Sequence, residues 1–524
     1  MKNKLFPNAK NTLPYFGFSA LTGCLSALLG TAFKLGAEGV IHLSGTLYAA
    51  ARQAPLWLPV LIIGAALLGL AASFIVSRFH SCKGGGIPTS VAAVRGMFTF
   101  RWLPSIFVLP FSALLTFFSG VPLGTEGPCV QMGTAIGDGV IQCCGAEKHK
   151  PWRRYVMTGG ASAGFSVATA SPLAAIVFSV EELHRHFSPL LLAGVSVSVM
   201  TAQITVQLLS FFGLGSGSLF HIPVLNAIDP RFLFVPVLIG TLCGLCSVLF
   251  TRFYHIVETV MRSILKKRSV TTVFPLLFAL MALLGFVLPD APGTGHALVE
   301  KLLDTQVLWY LLLLIFFLRA VFMMAANTAG ATGGVFLPTI AFGAIIGALC
   351  AKGMIALGWI DASHSPLMVV LGITAFLGAT SRIPLTACVF AVEALGGIHN
   401  APAIIIAATA AFLTVEISGV KDLTDTVIEA KLHSIRKGTK PMIAETTFTV
   451  EENSFAAGKE LCDILWPDAC RVVSFEAAPE SHHSVGIQAG DRITVRYQTC
   501  TPEATARELI ALAGTPAGQK ESCS

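Results

Sequence analysis

Apolar residues along this chain come in long runs rather than in short alternations. Clear runs are Trp57–Val76, Trp102–Phe118, Leu190–Phe212, Phe232–Phe250, Val307–Met324 and Ile404–Val415, and they recur to about residue 418. A helix needs about 20 apolar residues to cross a bilayer. Several runs are shorter, or are broken by Gly and Pro. Uniform spans would predict a simple bundle. Broken ones predict backbone that lines a cavity inside the protein. Met1–Tyr15 carries Lys2, Lys4 and Lys10 without a cleavage-site pattern, and reads as a polar leader into the first membrane helix.

The pattern changes after Lys431. Thr446–Glu451 and Cys470–Ala477 are predicted as strands, and Asp491–Gln498 alternates apolar and polar residues in a strand rhythm. Ser454–Leu465 is predicted as a helix capped by Asn453 or Ser454, and Thr501–Gly514 as a second helix. The tail therefore reads β-α-β-β-α.

Composition supports the membrane reading. Of 524 residues, 54% are hydrophobic and 12% charged, with a mean hydropathy of +0.73. A soluble protein carries about 25% charged residues. The net charge of +6 is modest and forms no stripe suited to nucleic acid. Arg262, Lys266, Lys267 and Arg268 flank a span, as loops facing the cytoplasm tend to do. The 13 cysteines show no metal-ligand spacing, and many lie in apolar runs as small buried hydrophobes. His482-His483 reads as a solvated pair rather than a metal site. No P-loop, no HExxH and no convincing nucleophile elbow is present, so no enzyme chemistry is expected.

The membrane region contains a repeat. Gly160–Leu183 (GASAGFSVATASPLAAIVFSVEEL) aligns without gaps to Gly372–Leu395 (GITAFLGATSRIPLTACVFAVEAL) at an offset of 212 (372 − 160). The pairs Pro172-Leu173 and Pro384-Leu385 coincide, as do Val-Phe and Val-Glu downstream. Pro128, Gly133 and Gly137 match Pro338, Gly343 and Gly347 at an offset of 210 (338 − 128). Two homologous halves are expected. The alignment is compatible with parallel or inverted halves.

Three Gly- and Pro-rich segments each precede a helix-compatible run: Gly84-Gly85-Gly86-Ile87-Pro88, Gly124-Thr125-Glu126-Gly127-Pro128 and Gly333-Gly334-Val335-Phe336-Leu337-Pro338. Pro suits a first helical turn. Gly lets backbone amides approach a ligand. A helix start offers free N–H groups and partial positive charge to an anion. Three such ends together would hold an anion weakly enough to release it. Taken singly, each motif reads as a close-packing position between membrane helices.

Glu126 lies at a predicted helix start. A carboxylate there can occupy the place of a permeant anion, and protonation would free it. The plainer reading is a cap for its own helix, but the matching position in the other half is near Phe336, which is apolar. Glu181 has a repeat counterpart in Glu393 and reads as structural. Glu182 faces Ala394 in the alignment and is the candidate for a task specific to one half, such as proton relay. Its plainer reading is a solvated helix end, since His184, Arg185 and His186 follow.

These motifs together resemble the CLC family of chloride channels and proton/chloride antiporters, over about Phe16 to Lys431. The resemblance implies an all-α polytopic CLC fold with two inverted repeats of broken helices, followed by a small α+β domain. It divides the chain into a leader (1–15), a transport domain (16–435, halves about 16–225 and 226–435) and a tail (440–524). It implies a homodimer in a lipid bilayer with one pathway per subunit, carrying chloride or other small anions and protons, with no cofactor. Glu126 matches the external gating glutamate, and Thr125 and Gly127 the upper anion site. Val335 and Phe336 match the amides of the central site, as do Gly85, Gly86 and Ile87 of the first motif. Glu182 matches the internal proton-transfer glutamate, which favours proton-coupled chloride antiport over a passive voltage-gated-type channel.

The chain departs from the family pattern in places. The usual serine of the first motif is Gly85, and the usual late tyrosine aligns to Thr424. The arginine common before the gate is Thr125. Fluoride/proton antiport is therefore an alternative. The tail resembles TrkA-type C-terminal domains, with Gly490-Asp491 before the last strand, and such a domain pairs or binds a small ligand. Short loops and a compact tail point to a bacterial inner membrane.

Overall fold

The computed structural model describes residues 9–84, 86–145, 147–215, 219–223, 225–304, 307–435, 442–452, 454–467, 470–478, 486–499 and 502–520. Gly85, Asn453 and the pair His482-His483 lie outside the described residues. The first half contains α1 (Ala9–Gln53), α2 (Leu58–Arg78), α3 (Ile87–Val94), α4 (Trp102–Phe118), α5 (Glu126–Cys144), α6 (Arg153–Thr169), α7 (Pro172–Phe178) and α8 (Pro189–Phe211). The second contains α9 (Phe234–Lys267), α10 (Val270–Val287), α11 (His296–Asp304), α12 (Trp309–Ala329), α13 (Phe336–Ala356), α14 (Ser365–Ser381), α15 (Pro384–Ala394) and α16 (Ala401–Ser418). α17 (Leu423–Ile435) closes the membrane region.

Among the described residues, nine helices are long and apolar enough to cross a membrane. Their outward faces carry exposed Leu67, Phe74, Leu249 and Phe317, and the shorter α4 adds Phe107 and Phe111. A belt of this kind is soluble only in lipid. The protein is a multi-pass integral membrane protein. Shorter helices sit inside this belt. Each of the eight residues of α3 is buried, which short, lipid-exposed helices could not tolerate. Proline opens α3, α7, α8, α14, α15 and α16, where its missing N–H costs nothing.

Packing repeats between halves. α5 crosses α6 through Gly133 and Gly160, where a Cβ on Gly133 would lie 2.0 Å from the Gly160 carbonyl oxygen. α13 crosses α14 through Gly343 and Gly372, where the equivalent distance is 2.7 Å. The repeat glycines are thus close-packing positions. The halves are inverted, and two carboxylates show it. Glu393, in the last turn of α15, accepts from the amides of Leu173 (3.1 Å) and Ala174 (3.0 Å) at the start of α7. Glu181, just past α7, accepts from the amides of Leu385 (2.9 Å) and Thr386 (2.6 Å) at the start of α15. Equivalent helices that cap each other's starts run antiparallel about a local two-fold axis. Both carboxylates also sit at positive helix ends. The structural reading of Glu181 agrees with this geometry.

α1 begins at Ala9, so the expected leader is already helical there. The reason is aromatic packing: Tyr15 is fully buried and stacks on Trp152 at 4.6 Å.

The tail is a four-stranded antiparallel sheet of order β2-β3-β1-β4, formed by β1 (Met442–Thr449), β2 (Cys470–Glu476), β3 (Arg492–Thr499) and β4 (Thr515–Lys520), with α18 (Pro502–Ala513). Phe448, Ile493, Val495, Tyr497, Leu509 and Leu512 form its core. The strand expectations on 446–451, 470–477 and 491–498 and the late helix agree with this. The helix expected over Ser454–Leu465 does not form. Gly458 takes φ +78° there, and one 3-10 turn, Leu461–Asp463, is all the helix the segment contains. Tertiary contacts override its helical pattern. Phe455 packs edge-on to Trp152 at 4.7 Å, the Tyr155 hydroxyl accepts from the Leu465 amide (3.0 Å), and Ser188 donates to Asp463 (2.8 Å). The segment is a strap bound to α6 and α8. β4 carried no strand signal because TPAGQK contains Pro and Gly, residues tolerated at a sheet edge.

Candidate functional site

The three glycine-proline segments converge. Gly124 and Gly334 form a reciprocal antiparallel bridge, each amide donating to the other's carbonyl at 2.6 and 2.7 Å. A Cβ on Gly127 would lie 2.6 Å from Gly334 Cα and 2.9 Å from Gly86 Cα. Only glycines allow backbones this close. The starts of α3, α5 and α13 therefore meet at one point, and the amides of their first turns lack intrahelical partners. Three helix ends give the point a positive potential without a full charge.

The Gly86 amide donates to Gln131 Oε1 at 2.9 Å, and Gln131 Nε2 donates to the Ser81 carbonyl at 2.8 Å. This pairing fixes the entry to α3 and takes the Gly86 amide out of the cradle. Thr332 and Ser112 brace the next layer at 2.8 Å.

Glu126 is the first residue of α5 and is fully buried. The Thr125 hydroxyl lies 3.4 Å from Oε1. Oε2 accepts no hydrogen bond among the described residues and sits 2.4 Å from the place a Gly124 Cβ would take. The amides of Glu126 and Leu337 bear on the carboxylate, so it lies between the starts of α5 and α13. Capping of its own helix thus accounts for only part of its placement. Lys34, 6% exposed in the middle of α1, is the cation that acts on Glu126. Sequence reasoning passed over Lys34. The signal was a lysine deep within an apolar helix, with Glu38 one turn on, which lipid-embedded segments rarely carry without a task.

Phe336 is the first residue of α13, as Glu126 is of α5. One half thus places a carboxylate, and the other an aromatic ring, at the equivalent spot. The Phe336 ring meets Phe165 edge-on at 5.1 Å and Phe390 at 5.9 Å, and Phe165 stacks on Phe178 at 4.5 Å. This aromatic column leads from the cradle to the helix end that carries Glu182. Val335 precedes it as the N-cap residue of α13.

Glu182 is 1% exposed and lies in a π-helical turn, Ser179–His184. The reading of it as a solvated helix end is overturned. Arg95 reaches across from α3 and donates to the carbonyls of Glu182 (2.7 Å) and Leu183 (2.9 Å), which folds the turn inward. Thr424, at the start of α17, places its hydroxyl against the Glu182 carboxyl, whose Oε2 accepts nothing among the described residues. Thr424 is thus beside Glu182. Arg185 pairs with Asp422 and with Asp425 (2.8 Å), holding α17 against this turn.

The sequence matches the profile described as voltage gated chloride channel over residues 68–416. Relatives include the H(+)/Cl(-) exchange transporter ClcA of Vibrio cholerae, 28% identical over 432 residues (80% of this chain, 89% of that protein). The ClcA of Klebsiella pneumoniae is 29% identical over 442 residues (82% and 91%). Among solved structures, a slow cyanobacterial Cl-/H+ antiporter superposes with a TM-score of 0.72 at 21% identity, over 80% of this chain and 98% of its own. A CLC-type fluoride/proton antiporter superposes at 0.64 with 20% identity, over 76% and 95%. At those identities the structures speak to the fold, which they share with the inverted, broken-helix architecture described above. By its profile match across two thirds of the chain, this protein belongs to the voltage-gated chloride channel family, the CLC proteins.

Proposed function

We propose that this protein exchanges chloride for protons across the membrane, with Glu126 as external gate and proton acceptor and Glu182 as internal proton-transfer group. The observation that carries the reading is a fully buried carboxylate at the meeting point of three helix starts. The bacterial relatives are named H(+)/Cl(-) exchange transporters, which supports the same cargo here. As a carboxylate, Glu126 fills the berth that peptide dipoles prepare for an anion. Once protonated it loses its attraction for those dipoles, and a chloride takes its place. The anion is held by amides of Thr125, Gly127, Ile87, Val335 and Phe336. Glu182 exchanges protons with the inner solution, and the apolar column between the two glutamates keeps bulk water from short-circuiting them. Lys34 stands in for the missing arginine before the gate and keeps the outer end of the path attractive to anions.

The test is paired flux of chloride, fluoride and protons in liposomes containing purified protein. A chloride gradient should drive protons uphill, and Glu126→Gln should sever proton from anion movement. Uphill proton pumping by that variant would refute the role of Glu126. Anion flux with no proton movement in the native protein would make it a passive channel, and faster fluoride than chloride exchange would reassign the anion. The family likeness further supports a homodimer with one pathway per subunit, in the inner membrane of a bacterium. The tail is proposed to serve that dimer, or to bind a small ligand. Deletion beyond residue 440 that leaves flux and dimerisation unchanged would deny it both roles.

A further inference from the structure

We propose that Asp422 is a third carboxyl of the proton route, relaying protons between the inner solution and Glu182. The inference rests on the reading of Glu182 as the internal proton-transfer group. Three acidic side chains form a ladder from solvent inward: Asp425 is 32% exposed, Asp422 3% and Glu182 1%. Asp422 and Thr424 belong to the same turn, and Thr424 places its hydroxyl on the Glu182 carboxyl, on which the Asp422 charge also acts. Glu182 Oε2 is buried and accepts no hydrogen bond among the described residues, which leaves it free to take a proton.

The groups that act on Asp422 are Glu182 and Arg185 on the π turn and Asp425 on α17, with Thr424 two residues along the chain. Arg185 contacts both aspartates, and Arg95 lies 3.6 Å from Asp425. Arg185 is 39% exposed, so it can swing toward solvent when Asp422 is neutral and return when Asp422 is charged. Burial pushes the Asp422 carboxyl above the usual aspartate range, with Arg185 opposing. In the inward step, the O–H bond of protonated Asp422 breaks as its proton passes to an intervening water, and that water gives up one of its own protons to form the O–H bond at Glu182 Oε2, which has no protein partner of its own among the described residues. Asp422 becomes a carboxylate paired to Arg185, until a proton from the inner solution restores it.

The structural alternative is that Asp422 merely caps α17, since its Oδ1 accepts from the Asp425 amide at 2.5 Å. Asn and Ser cap as well as Asp but carry no proton. The experiment compares Asp422→Asn, Asp422→Ser and Asp422→Glu with Glu182→Gln in liposomes, reading the ratio of protons to chloride moved. The relay predicts that Asn and Ser lower this ratio on the order of 100-fold, as loss of a proton-transferring group does, and that Glu rescues it. An unchanged ratio in Asp422→Asn alongside a lost one in Glu182→Gln overturns the relay and leaves Glu182 in place. Parallel loss of both fluxes in Asp422→Asn and Asp422→Ser likewise overturns it. If Glu182→Gln itself keeps the native ratio, the underlying reading fails, which is a distinguishable result.

Discussion

Replacing Gly127 by Ala adds one methyl where the starts of α3, α5 and α13 meet. The new Cβ would sit 2.6 Å from Gly334 Cα, 2.9 Å from Gly86 Cα and 3.0 Å from Gly334 N. Carbon atoms rest at about 3.5–4.0 Å, so about 1 Å of extra separation is needed on both sides at once. All three of these neighbours are backbone atoms, and no rotamer can yield. The reciprocal bridge between Gly124 and Gly334 resists the movement. Overpacking of this kind costs about 1–3 kcal/mol of stability. The larger effect falls on transport, because the amides proposed to face the ion move with the backbone. A misplacement of about 1 Å at a preorganised site lowers rate on the order of 100-fold. Chloride flux from liposomes, normalised to reconstituted protein, reads the effect, and thermal unfolding in detergent reads the stability. Gly64→Ala is the control, since a Cβ on Gly64 meets nothing within 4 Å. Near-native flux in Gly127→Ala would refute the convergence of the three helix starts as the ion site.

Three further outcomes are expected. Glu181→Ala and Glu393→Ala each uncap a helix start and should cost about 1–2 kcal/mol in thermal unfolding, with the double variant less than additive because the caps share one interface. Lys34→Gln should weaken apparent chloride affinity by roughly threefold to tenfold, on the order of 1 kcal/mol, in the concentration dependence of flux. Burial holds Lys459 down to about 8, with Asp463 opposing, in a strap that packs its ammonium over the Phe455 and Trp152 rings. Its folded value lies below its unfolded one. The penalty for charging it is therefore fully present below about pH 8 and is relieved as pH rises toward the unfolded lysine value. Hydrogen-exchange protection of the strap should increase across that window, and Lys459→Met should flatten the change.

Much of this architecture was legible in the sequence because membrane proteins write their constraints locally. The breaks at Gly84–Pro88, Gly124–Pro128 and Gly333–Pro338 mark the starts of α3, α5 and α13, and the Pro-Leu to Val-Glu repeat marks α7 and α15. Glu126 announced itself by charge in an apolar context. What escaped was long-range. Lys34 sits far from Glu126 in sequence, and no spacing rule pairs them. Arg185 and Asp422 are 237 positions apart. The strap over 454–467 has a helical pattern but spends its apolar side chains on α6, so only the tertiary contact with Trp152 and Tyr155 explains its shape. β4 was missed because edge strands tolerate residues that argue against a strand.

The mutual helix capping by Glu181 and Glu393 has a meaning for ancestry. A surface on which one carboxylate grips the neighbour's helix, while the neighbour's carboxylate returns the grip, is self-complementary. Two separate copies of a half-length polypeptide could have built it, provided they entered the bilayer in opposite orientations. Fusion of such copies would free each to change alone, and the divergence of Glu126 from Phe336 is what that freedom leaves behind: one half carries a titratable side chain at the start of its helix, and the other a ring.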